Sequence, residues 1–122
     1  MIQHLRLVRE VFEPIKDGQG RASYFDGWKA SFVDGAGGKS VLTSMWPLLS
    51  RLLAGSIVVP LSAVADAMRL TAERCHVIAE GAAACAVAAA MTGRVRGTIV
   101  AIVSGGNIDL NTFASVVGAC ER

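Results

Sequence analysis

The chain has 122 residues, 52% of them hydrophobic, with 12 basic and 10 acidic side chains for a formal charge of +2. That length holds one domain with a single modest core, and the small, scattered charge lacks the clustered basic face and interleaved aromatics that nucleic-acid binding requires. The apolar fraction is high for so short a chain, so part of its surface is expected to be covered by something else.

In chain order, residues 2–6 read as the end of a helix, and residues 8–12 as a short strand stopped by Pro14. The opening residues lack the continuous apolar run and small-residue cleavage site of a signal peptide, so a cytoplasmic protein is expected. Residues 17–20, DGQG, form a turn, and Tyr24, Phe25 and Trp28 stand at helical spacing within a short helix over residues 22–30. The stretch FVDGAGGKS, residues 32–40, has the look of a phosphate-cradling loop. Such a loop needs a glycine five residues before its Gly-Lys pair, and Val33 stands there, so no P-loop is expected.

Residues 41–53 place Leu42, Met45, Trp46, Leu49, Leu52 and Leu53 on a helical period, entered through Pro47 in an early turn and ended by Gly55. Ser56, Ile57, Val58 and Val59 form a strand closed by Pro60. Residues 61–74 predict an amphipathic helix, with Val64, Ala67, Met68 and Thr71 inward and Asp66, Arg69 and Glu73 outward. The alanine-rich stretch VIAEGAAACAVAAAM, residues 77–91, is too short for a bilayer and contains Glu80, so it reads as a buried helix with no membrane role. Its small side chains let another backbone come close.

TGRVRG ends that helix, and the apolar run TIVAIV, residues 98–103, predicts a central strand buried on both faces. Ser104, Gly105, Gly106 and Asn107 then turn into a last helix over residues 110–120. Helices alternating with short buried strands indicate an α/β layer architecture in a single domain spanning residues 1–122. Cys75, Cys85 and Cys120 form no CxxC pair and are expected as reduced, buried thiols. Cys75 beside His76 has no second ligand pair to complete a zinc site.

Chemistry concentrates at SGGN, because ligands of open parallel sheets bind beyond the carboxyl ends of the strands. Two glycines there let a flat ligand approach the backbone, and the Ser104 hydroxyl supplies one hydrogen bond. The alternative is a turn that only punctuates the chain. Glu80, in an otherwise apolar stretch, needs a partner, a raised pKa or a ligand, with an arginine or a helix N-terminus as the plain structural answer.

FVDGAGGKSV, MWPLL, VIAEGAAA and IVAIVSGGNIDL, in that order and spacing, resemble the C-terminal part of a pyridoxal-phosphate-dependent threonine or serine dehydratase of fold type II. The resemblance covers nearly the whole chain and assigns the glycines of residues 35–38 to that family's loop. It implies a three-layer α/β fragment with a short, mainly parallel sheet, part of the tryptophan-synthase-beta-like fold. The implied activity is elimination of water from a hydroxy amino acid to give a 2-oxo acid and ammonia. By the same resemblance Ser104 faces the pyridine nitrogen of the cofactor, Gly105 and Gly106 let the ring lie close, Glu80 lies near the ring and Asn107 braces the turn. A neutral serine there leaves the pyridine nitrogen unprotonated. FEP, residues 12–14, resembles a strand end whose glutamate joins a cation site in some members, which makes Glu13 a metal candidate; Asp17 and Gln19 do not complete its oxygen set.

The family's Schiff-base lysine and phosphate-binding glycine cluster lie upstream of the matching region, and Lys16, Lys29 and Lys39 stand outside the lysine motif. IQHLR resembles the helix that follows the phosphate loop, so a truncated chain starting in mid-domain is implied. LVREVFEP is about two residues shorter than the family pattern, and Ala83 stands where a glycine is common. No dehydratase turnover is expected from the chain alone, and the uncovered surface implies a homo-oligomer or a separate N-terminal half as partner. A non-catalytic oligomeric remnant acting as an interaction module is the alternative.

Overall fold

The computed structural model describes residues 5–10, 29–36 and 41–119. Strand β1 (Leu5–Glu10) is followed by a single 3-10 turn at Asp34–Ala36, helix α1 (Trp46–Leu52) and strand β2 (Leu53–Val59). Helices α2 (Leu61–Cys75), α3 (Gly81–Met91) and α4 (Leu110–Gly118) complete the order. β1 and β2 pair in parallel from Leu5↔Leu53 to Glu10↔Val59, with a register irregularity between Leu5 and Arg6. The result is a mixed α/β architecture whose described sheet is this one parallel pair.

Each element follows from local chemistry that long-range contacts then trim. Leu5 and Arg6, read as a helix end, belong to β1, because pairing with β2 outweighs local helix preference. Pro47 sits in the first turn of α1, where no backbone donor is missed. The helix therefore begins only at Trp46, after the turn in which Met45 N–H donates to Leu42 O at 2.9 Å. It also stops earlier than its periodicity implies, since Leu53 already joins the strand. Ile57 and Val59 point inward on β2, and Pro60, in extended conformation, hands the chain to α2.

α2 buries the predicted face, with Val64, Ala67, Met68 and Thr71 inside. The Thr71 hydroxyl meets the carbonyls of Ala67 and Met68, both at 2.9 Å, so the buried polar group stays within its own helix. Arg69 leaves the expected solvent face: its Nε donates to Val117 O at 3.0 Å, and its Nη2 bonds the same carbonyl, tying α2 to the last turn of α4. Cys75, the last residue of α2, is exposed rather than buried, whereas Cys85 is buried; Cys120 lies outside the described residues.

The core is a cluster in which Met68, Val33, Val59 and Val64 fill the space left by the alanines of α3. Ala83, Ala84 and Ala88 are buried against it. The run at residues 98–103 departs most from expectation: it forms no strand, and Val100 and Ile102 are 74% and 63% exposed. An apolar run becomes a strand only where a neighbour supplies the ladder, and no described strand lies beside it. Lys29 and Ala30, read as the end of a helix, are non-helical and exposed; the DGQG turn and the rest of that helix fall outside the described residues. Among the described residues no helix is long and apolar enough to cross a membrane.

His76 caps α2 in the left-handed conformation at φ 55°, while Val77 N–H reaches back to Thr71 O at 3.2 Å. A residue with a Cβ is strained there by about 1 kcal/mol. His76→Gly is expected to raise unfolding stability by about 1 kcal/mol in urea titrations, with an unchanged m-value.

Candidate functional site

The site gathers at the N-terminal end of α3. Glu80 is not inside a helix, as its apolar neighbours suggested: it is the extended residue that precedes α3, at φ −71° and ψ 163°. Residues 77–80 are drawn out of the helix because Glu80 N–H donates to Gly105 O at 3.2 Å. The same residue's carbonyl accepts from Ala84 N–H at 3.0 Å and so opens the helix. A carboxylate at this end is favoured by the helix dipole, the plain structural answer to its charge.

The SGGN turn folds against this segment. A Cβ on Gly105 would lie 2.8 Å from Glu80 Oε1, and one on Gly106 would collide with the Ile78 carbonyl oxygen. Only glycine lets the turn come so near, so both residues have a reason inside the chain as well as any they have toward a ligand. Ile108 N–H donates to Gly106 O at 3.0 Å, and Asp109 caps α4 by accepting from Thr112 N–H at 3.0 Å. Ser104, Gly106 and Asn107 are exposed and Gly105 is half-buried.

A third element joins them. The Asp34–Ala36 turn sets Gly35 so that a Cβ there would lie 3.7 Å from Glu80 Oε1 and 3.1 Å from Ala82 Cβ. A Cβ on Gly81 would lie 2.6 Å from Phe32 O, so this loop rests directly on the start of α3. The half-buried Glu80 carboxylate thus sits between Gly35 of the glycine-rich loop and Gly105 of SGGN. That juxtaposition was not legible in residue spacing, since the positions are far apart in sequence and neither glycine has a side chain to give a pattern.

The structure brings Glu80 against Gly105 and Ile78 against Gly106, and leaves Ser104 and Asn107 exposed. Glu13, Asp17 and Gln19 lie outside the described residues, as do Lys16 and Lys39. Lys29 is exposed. Among the described residues no group of His, Cys, Asp and Glu is arranged to hold a metal ion.

No family model matches the sequence. The chain is 36% identical over 101 residues to an L-threonine ammonia-lyase of Thermotoga maritima, an alignment covering 81% of this chain and 25% of that protein. The chain therefore spans about a quarter of the length of this curated relative. Its fold is similar to a T.th. threonine deaminase (TM-score 0.71, 20% identity, 86% of this chain and 50% of that one). A processed threonine deaminase isoform 2 from Solanum lycopersicum gives TM-score 0.71 at 20% identity, over 93% of this chain and 36% of that one. A pyridoxal 5'-phosphate-dependent aspartate racemase gives TM-score 0.62 at 28% identity, over 69% of this chain and 28% of that one.

Crowding at the two glycines differs in kind. Glu80 can swing its carboxylate away from a new methyl, whereas the Ile78 carbonyl is backbone. Gly105→Ala is expected to cost about 1 kcal/mol and Gly106→Ala about 3 kcal/mol in chemical denaturation. Glu80→Ala should recover part of the Gly105→Ala loss and none of the Gly106→Ala loss in a double-mutant cycle.

Proposed function

We propose that this chain, a relative of the fold type II, pyridoxal-phosphate-dependent threonine dehydratases, carries the ring side of a pyridoxal-phosphate site. The parent reaction is elimination of water from threonine or serine to give a 2-oxo acid and ammonia. Pyridoxal phosphate is the cofactor of that family. One observation carries the reading: the SGGN turn is held in place by Glu80 in a chain 36% identical to an L-threonine ammonia-lyase. We take the three-layer frame of the same fold as its setting.

The residues present suit one edge of the cofactor. Ser104 is exposed at the turn, and its hydroxyl would bond the ring nitrogen as a neutral partner. The Cβ-free backbone of Gly106 would allow the flat ring to approach, and Asn107 would brace the turn. When bound, the cofactor supplies an electron sink for the charge left as the substrate's α-proton departs. Glu80 would hold the turn beside the ring: its N–H donates to Gly105 O, and its carboxylate lies where a Cβ on Gly105 would stand.

None of Lys16, Lys29 and Lys39 stands in the family's Schiff-base motif. The base and the phosphate cradle would come from residues other than these 122, and the chain by itself is proposed not to turn over threonine.

Equilibrium dialysis against pyridoxal phosphate tests the ring edge without requiring activity. Retention by the unaltered chain should fall about fivefold in Ser104→Ala, the loss of one hydrogen bond worth about 1 kcal/mol. Threonine turnover should stay at the buffer blank in both. Retention that ignores Ser104→Ala, or no retention at all, would sink the proposal.

A further inference from the structure

Residues 98–103, TIVAIV, contain no proline and no charged residue, and five of the six are β-branched. Ile99, Val100, Ile102 and Val103 are all exposed. No backbone N–H or C=O of residues 98–104 pairs with another described backbone group. The C-terminal end of the segment is anchored, because Gly105 O accepts from Glu80 N–H. Val77 and Ile78 extend the apolar surface at that anchor, where the Ile78 carbonyl meets Gly106. A row of unpaired backbone groups under uncharged β-branched side chains is a template for another strand.

We propose that this segment is a strand-pairing surface and that its occupant is the same segment of a second copy, running antiparallel about a twofold axis. An identical partner answers the donors and acceptors along one edge of the segment and sets β-branched side chains opposite one another. Charge selects the direction. Arg94 and Arg96 precede the segment, whereas Asp109 follows it and the Glu80 carboxylate lies against Gly105 at the same end. Antiparallel pairing lays the basic end of one copy beside the acidic end of the other, while parallel pairing sets like charges together. A twofold contact uses the same edge of both copies, so that edge is closed once two chains have paired. The inference stands on the backbone and side chains of this segment and does not depend on cofactor binding.

Sedimentation velocity on the full chain tests it, with hydrogen exchange as a second readout. The chain should pass from monomer to dimer as concentration rises, and the amides of residues 98–104 should gain protection over the same range. Val100→Lys with Ile102→Lys should remain monomeric with an unchanged far-ultraviolet circular dichroism spectrum, both sites being exposed. Arg94→Glu with Arg96→Glu, which leaves the apolar segment intact, should weaken the dimer about tenfold. A chain monomeric at every concentration would overturn the proposal and leave the edge to a different partner. So would a dimer indifferent to both double substitutions, or protection that does not vary with concentration. Should the lysine variant lose its spectrum, the arginine variant and the exchange of the unaltered chain decide.

Discussion

The close approach that alanine permits is the constraint on which the rest of the molecule depends. Ala83, Ala84 and Ala88 of α3 are buried, and Met68 of α2 is buried within the same cluster. An alanine brings little apolar area of its own, so the gain comes from bringing larger side chains into contact at interior density. Helices separated by small residues pack at the short end of the usual 8–10 Å range. A larger side chain at these positions would push α3 off its neighbours and displace the residue at its start. That residue is Glu80, so the geometry of the candidate site is fixed by the packing of the helix behind it.

The same coupling runs in the other direction through glycine. The SGGN turn reaches residues 78–80 only because Gly105 and Gly106 lack a Cβ, and Phe32 reaches the start of α3 only because Gly81 lacks one. Small residues in α3 and the missing Cβ atoms of Gly35 and Gly105, in two separate loops, therefore make room for one half-buried carboxylate. Glu80 needs no buried counter-ion for this arrangement to hold. The partial positive charge at the start of α3 and the carboxylate's partial exposure limit the cost of its placement.

How much of this was legible in the sequence depended on how far each residue's decisive partner lay along the chain. The inward face of α2, the strand ending at Val59 and the turn into α4 were readable because their patterns are local: period, a closing proline and the SGGN turn. The four ordered motifs pointed to a dehydratase relative for a similar reason, since each is a short contiguous signature. Where partners are distant, the reading failed. Leu5 and Arg6 follow β2 into a strand, Glu80 leaves the helix to meet Gly105, and Arg69 turns toward Val117. None of these is encoded in the periodicity of its own segment.

Residues 98–103 show why composition alone cannot decide burial. Their β-branched apolar run carries the signature of a central strand, yet a strand's interior position is conferred by its neighbours. Here the hydrophobic segment is exposed, together with Leu42, Leu52, Met91 and Leu110 elsewhere on the surface. That distribution places the high apolar content of the sequence at the surface as well as in the core. Such surface opposes solubility as a monomer and favours any contact that covers it. The chemistry and the pairing proposed for this chain thus fall on adjoining residues: Val103 ends the exposed run, and Ser104 begins the turn. Whatever pairs with the first will set how rigidly the second is held, because a strand fixed along its length fixes the turn that leaves it.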